Sequence, residues 1–321
     1  MRGRRKLIMP AVYIGLIVIL ALLPLFIKSP YLIHIFIMSL IYIIATSSLR
    51  IIAVSGQLSL GHAGFMGIGA YTAGVTSKYL GWAPWVTMPF GALATMAVAI
   101  IIGYPFARAR AMYFSMISLF FGIGILAVNS VFSKFTGGTG GLIGIMSLFA
   151  GSKIANYYFF LGLTGLSLLA LWRCEFCRIG MTFKAIAQSH MVASSAGINE
   201  AGYRVIALAV GCFFVGLAGA GYAHYNLVLS QSTFNLLASV NLLVYMVIGG
   251  IGSFAGPIIG TAVLIIIPEL FRGLKEFVPY IFAGILLIVI FIIPQGLAGL
   301  PMYIKLWLKK LRRERVVTHA P

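Results

Sequence analysis

Apolar runs close to twenty residues long constrain this chain more than any other feature. The stretch 280–293 is continuously apolar apart from Gly284. A helix of about 20 such residues crosses hydrocarbon about 30 Å thick and pairs its own backbone groups as it does so. The strands of a lipid-facing barrel would alternate apolar with polar residues, and 280–293 does not. With 61% apolar and only 9% charged residues and a mean hydropathy of +1.06, a soluble globule would leave much of this surface in water. The expected fold class is therefore all-α, a polytopic membrane protein with lipid as its solvent and partner.

Ten spans are expected, at 7–27, 31–53, 57–79, 83–106, 112–132, 154–172, 205–228, 236–253, 255–271 and 279–297. The first follows Arg2, Arg4, Arg5 and Lys6. It is read as a retained span, because its length and the lack of an A-x-A site do not suit a signal peptide. With a cytoplasmic N-terminus, only Lys28, Lys78, Lys134, Lys153, Arg272 and Lys275 of the 23 basic residues fall outside. That bias predicts both termini in the cytoplasm. It also accounts for the net charge of +18 as topology, so no nucleic-acid partner is expected. Glycine-rich segments 56–69 and 249–260 are expected to break or re-enter, since glycine lowers helix stability by up to about 1 kcal/mol per residue. The span count accordingly runs from eight to eleven. Residues 1–321 are read as a single membrane domain that contains one polar loop, 173–204.

That loop is the longest polar stretch between spans. Phe183, Ile186, Ala187 and Met191 recur within it at helical spacing, while Lys184, Gln188, Ser189 and Ser195 face elsewhere, the pattern of a short amphipathic helix at a membrane edge. Gly197 is the expected stop. Asn199 and Glu200 are the expected N-cap and first-turn acid of a following short helix. From periodicity alone this helix pair either lies on lipid or docks a partner.

Small residues crowd two further regions. Gly61, Gly64 and Gly67 recur every three residues, and Gly211, Gly216, Gly219 and Gly221 share another run; such residues let helix backbones approach closely. His62, set beside Gln57 and Ser59, is the intramembrane histidine of most interest, since buried ionisable groups often mark pathways. His34 and His224 are read as structural, and Glu269 and Glu276 as interfacial partners of Arg272. Cys174 and Cys177 lack the further ligands or redox context that a C-x-x-C site needs.

Several function classes lose their support. The five acids are all glutamates, too few for the mid-membrane ionisable groups of a proton- or sodium-driven carrier. No G-x-x-x-x-G-K-[ST] loop is present, so any ATP must be hydrolysed elsewhere, and no nucleophile–base constellation marks an enzyme. No catalytic residue, cofactor or metal is expected on this chain.

Several segments resemble the branched-chain amino-acid ABC transporter permease family, closer to its LivM branch than to its LivH branch. They are 55–65 (SGQLSLGHAGF), 67–72 (GIGAYT), Thr136-Gly137-Gly138 with Gly141-Leu142, 185–198, 222–225, Gly249-Gly250-Ile251-Gly252-Ser253 with Gly256-Pro257, Pro268-Glu269, and 294–297. The resemblance implies a multi-pass permease of the bacterial inner membrane. It implies as partners a LivH-type permease, two cytoplasmic ATPase subunits carrying ATP-Mg, and a periplasmic substrate-binding protein. It makes 178–202 the coupling element, with Phe183, Lys184, Ile186, Gln188, His190, Gly197, Asn199 and Glu200 as its candidate residues. Gln57, Ser59, Gly61, His62, Gly64, Gly67, Gly249, Gly250 and Gly252 become candidates for the pathway or its packing. Thr136, Gly137 and Gly138 become the candidate contact for the binding protein. Where the family usually carries a charged patch, this chain has Ala187, Gln188, Ser189 and His190, and Ser194 replaces a common acid. Branched-chain amino acids are the expected cargo, urea or short amides the alternative within the class, and an ATP-independent carrier or channel the alternative outside it.

Overall fold

The computed structural model describes residues 29–109 and 111–270, together with positions 24, 280, 283, 284, 287 and 296–299. In chain order its helices are α1 (Pro30–Val54), α2 (His62–Leu80), α3 (Pro84–Ala107), α4 (Ala111–Val131), the single turn α5 (Ser133–Thr136), α6 (Lys153–Phe176), α7 (Arg178–Gln188), α8 (His190–Ser195), α9 (Glu200–Asn226), α10 (Leu236–Gly249) and α11 (Gly256–Leu270). A two-residue strand β1 (Leu142–Ile143) pairs antiparallel with β2 (Val228–Leu229), Leu142 opposite Leu229.

α1, α3, α6 and α9, with residues 112–131 of α4, are long and apolar enough to cross a membrane, and they match five expected spans. The expected span 57–79 starts later, at His62, after a non-helical stretch. The expected span 236–253 becomes a helix of 14 residues, shorter than the roughly 20 that crossing requires, and the expected span 255–271 shows a helix of 15 residues among those described. They are separated by a turn at 250–255. Both glycine-rich segments therefore interrupt helix, as expected. The expected spans 7–27 and 279–297 lie almost wholly outside the described residues, as does Arg272.

Burial ranks the helices. Within its apolar window α1 is 72% buried and α9 61%, against 22% for α4. α1 and α9 are thus the core, with α2, α3, α10 and α11 around them and α4 at the periphery. Small residues permit this packing. A Cβ on Gly69 would overlap the backbone of Gly216, one on Gly216 would come within 2.5 Å of Thr95 Oγ1, and one on Gly219 would overlap the Met66 carbonyl. α9 consequently meets α2 and α3 almost backbone to backbone, as expected of glycine-rich membrane helices.

Candidate functional site

The polar loop forms a joint and two short helices. α6 ends at Phe176 and α7 starts two residues later, Cys177 being the single extended residue between them. The turn is tight: a Cβ on Gly180 would overlap the Glu175 carbonyl. Phe183 and Ile186 are buried. Phe183 packs with Ile51 of α1, Leu171 of α6 and Ala207 of α9, and its ring meets that of Tyr203 edge-on with centroids 6.4 Å apart. Ser189 is extended and accepts a hydrogen bond from Val192 N at 3.4 Å, opening α8. Gly197 (φ +77°) closes α8, with Ile198 N donating to Ala193 O and Gly197 N to Ser194 O, a Schellman closure. Asn199 Oδ1 accepts from Gly202 N at 3.1 Å and caps α9.

The stop at Gly197 and the cap at Asn199 fall where the sequence put them, but two details differ. Asn199 opens the long α9 itself, not a separate short helix. Met191 does not share the face of Phe183: it is 72% exposed, because the extended Ser189 breaks the helix before it. Of the expected coupling residues, Phe183 and Ile186 turn inward as anchors, while Gln188, His190, Gly197 and Asn199 are exposed. Glu200 accepts from Ser194 Oγ at 3.0 Å and pairs with Arg204, which also donates to the Ala107 carbonyl at the end of α3. A groove of about 620 Å³ runs beside these helices, lined among others by Gly56, Arg108, Ala187, His190 and Arg204.

Beneath α7 lies a charge network that sequence reasoning missed. Glu175, with its side chain 2% exposed, pairs through Oε2 with Arg50 Nη1 and through Oε1 with Lys184 Nζ at 3.1 Å. Arg50 Nε also donates to the Ile251 carbonyl at 3.1 Å. Lys184 thus bends back toward the body, although 41% of its side chain remains exposed. Burial, and secondarily the Arg50 charge, push the Lys184 ammonium below its ordinary pKa. The available signal was the scarcity of acids: Glu175 is one of five in the chain, and Arg50 falls inside an expected span.

Serines of other helices hydrogen-bond the backbone through the interruption and into the start of α2. Ser115 Oγ donates to Leu58 O at 2.7 Å, Ser118 Oγ accepts from Leu60 N at 3.1 Å, and Ser239 Oγ accepts from Ala63 N at 3.0 Å. Irregular backbone at membrane depth requires such partners. Gly61 rests on the Ser118 carbonyl, a Cβ on Gly64 would lie 2.9 Å from Gly122 Cα, and Gly67 faces Phe234. His62 is buried with Nε2 2.9 Å from Ser48 Oγ. Ser48 spends its own hydrogen on the Ala45 carbonyl, which makes His62 Nε2 the donor. His62 Nδ1, Ser59 Oγ and both amide atoms of Gln57 are buried without a hydrogen-bond partner among the described residues.

Gly249 and Gly250 interlock with Gly256, Gly260 and Gly296, whereas Gly252 is exposed with open space around it. In the 133–153 loop, Thr136 Oγ1 donates to Asn129 O at 2.7 Å, and Gly137, Gly138 and Gly141 all have positive φ. His224 staples this loop to α3: Nδ1 lies 2.8 Å from the Met146 carbonyl and Nε2 2.6 Å from Thr87 Oγ1. His34 pairs with Tyr225 at 2.8 Å. Both histidines have the structural partners expected of them.

Several apolar membrane-crossing helices, broken twice by glycine-rich turns and carrying a short helix pair on a buried charged joint, define a multi-pass α-helical membrane protein. The family model for the permease component of the branched-chain amino acid transport system matches residues 31–294. The chain belongs to that family, and is thus a transport component and not an enzyme. It is 29% identical over 296 residues to the high-affinity branched-chain amino acid transport system permease protein LivM of Salmonella typhimurium, covering 83% of this chain and 69% of that protein. Identity to the protein of the same name from Escherichia coli is 28%, with the same coverage. No solved protein structure matches the chain.

Proposed function

We propose that this chain forms one half of the translocation unit of an ATP-driven importer for branched-chain or other hydrophobic amino acids. Two separate cytoplasmic ATPase subunits hold ATP-Mg and drive alternating access by moving α7 and α8. A LivH-type permease supplies the other half, and a periplasmic binding protein delivers the cargo at the loop containing Thr136, Gly137 and Gly138. The bias of basic residues toward one side supports an inner-membrane protein with both termini in the cytoplasm.

The observation that carries this reading is the anchoring of α7. Phe183 and Ile186 are locked into the body while Gln188 and His190 stay exposed, so a partner gripping the outer side of this pair would move α1, α6 and α9 with it. The polar atoms of Gln57, Ser59 and His62 that have no partner among the described residues favour the interruption before α2 as part of the path. Buried polar groups cost about 1–3 kcal/mol each when left unsatisfied, and polar solute or water passing here would relieve that cost. The name of the two LivM relatives supports the cargo class.

The test is reconstitution of the whole complex in proteoliposomes. Labelled leucine should accumulate with ATP, persist in the presence of an uncoupler, and require the binding protein. Uptake of urea or a short amide in its place would reassign the cargo. Uptake by this chain alone, without an ATPase, would overturn the reading.

A further inference from the structure

The charge network under α7 forms a continuous mechanical path. Lys184 on α7 holds one oxygen of Glu175, Arg50 at the end of α1 holds the other, and the same guanidinium grips the carbonyl of Ile251. Ile251 lies in the turn between α10 and α11, beside Gly250 at φ +108°. The Arg50 guanidinium also lies over the Phe254 ring in that turn, 5.8 Å from its centroid. The backbone of Glu175 bears directly on Gly180 at the start of α7. The carboxylate is thus touched by the moving helix on one side and by the inner core on the other.

The two ion pairs differ in character. Arg50 and Glu175 are both buried, and a buried pair separates only by leaving uncompensated charge behind. Lys184 is partly exposed, so its contact is screened and readily exchanged. The inner step is therefore rigid, and the outer step responds to whatever covers α7.

We infer that Glu175 is a positioning residue that transmits displacement of α7, through Arg50, to the turn between α10 and α11. This rests on the reading of α7 as the element the ATPases move. The apolar cluster around Phe183 reaches that turn only through the partly buried Phe254, its other members lying on α1, α6, α7 and α9. The carboxylate–guanidinium–carbonyl path adds a directional, charged connection beside that contact. Arginine suits it because its fork places separate donors at Nη1 and Nε, whereas lysine offers one nitrogen.

The experiment uses the full complex in nanodiscs with spin labels, in a Cys174→Ser, Cys177→Ser background; Cys212 is fully buried. One label pair is Ala185→Cys with Gly140→Cys, the other Gly252→Cys with Gly140→Cys; a Cβ at Gly140 or Gly252 meets nothing within 4 Å. In the parent, ATP should shift both distances. In Arg50→Met/Glu175→Met, which removes both buried charges and leaves only the partly exposed Lys184 without its partner, the Ala185 shift should persist. The Gly252 shift should be lost, and transport should fall at least tenfold. Arg50→Lys, which keeps the buried pair but not the second arm, should give the same pattern more weakly. Retention of the Gly252 shift in the double variant overturns this inference and leaves the coupling reading standing. An immobile Ala185 label in the parent overturns both.

Discussion

Replacing Phe183 by alanine should undock α7 without unfolding the rest of the molecule. α7 has only Gly180, Phe183 and Ile186 buried along its 11 residues, and an isolated helix of that length is not stable by itself. The Phe183 ring is the largest of these anchors. Its neighbours Ile51, Leu171 and Ala207 belong to three different helices, so no single shift closes the space it would leave. Phe→Ala changes at such sites cost about 3–5 kcal/mol. With α7 at a membrane edge, as the proposed function has it, its freed face would meet lipid as well as water, which places the cost near 3 kcal/mol, or about a hundredfold in the docking equilibrium. Hydrogen–deuterium exchange in nanodiscs should then show α7 amides exchanging about a hundredfold faster. α9 should be unchanged, and ATPase co-purification should be reduced. Met191→Ala, at a 72% exposed side chain, should leave α7 exchange unchanged. If α7 exchange in the Phe183 variant stays within a few-fold of wild type, the anchoring argument is wrong.

Two further outcomes test the packing. Gly219→Val sets a side chain against the Met66 carbonyl and should lower the thermal stability of the purified protein by more than the usual 1–3 kcal/mol of overpacking, since backbone must move. Gly165→Ala, with open space around it, should not lower it. Gly137→Ala forces a φ of +78° on alanine, at about 1–2 kcal/mol, and sets its Cβ against the Gly141 carbonyl. Proteolysis within 133–153 should accelerate, and stimulation of the ATPases by loaded binding protein should fall, with basal hydrolysis retained.

What the sequence determined by itself is what depends on near neighbours or on composition. Apolar runs of span length select lipid as solvent and helix as the only self-satisfied backbone, whatever the tertiary arrangement. Gly197 and Asn199 are legible because a left-handed stop and a side-chain cap act within a few residues. The breaks near 57–61 and 250–255 follow from local glycine content. Ser189 shows the limit of this reasoning: apolar spacing runs on through Met191, yet the backbone opens at Ser189, where its hydroxyl caps the next helix.

The tertiary structure alone decided which faces meet. Membrane helices that are apolar all round carry no stripe marking the inner side, so no periodicity could pair Gly69 with Gly216, or His224 with both Thr87 and Met146. The serines that bond the backbone between Leu58 and Ala63 come from α4 and α10, far along the chain. Arg50 and Glu175 stand 125 residues apart, and each alone reads as an interfacial charge. Only folding, by burying both in one low-dielectric joint, turns them into a pair that cannot separate cheaply.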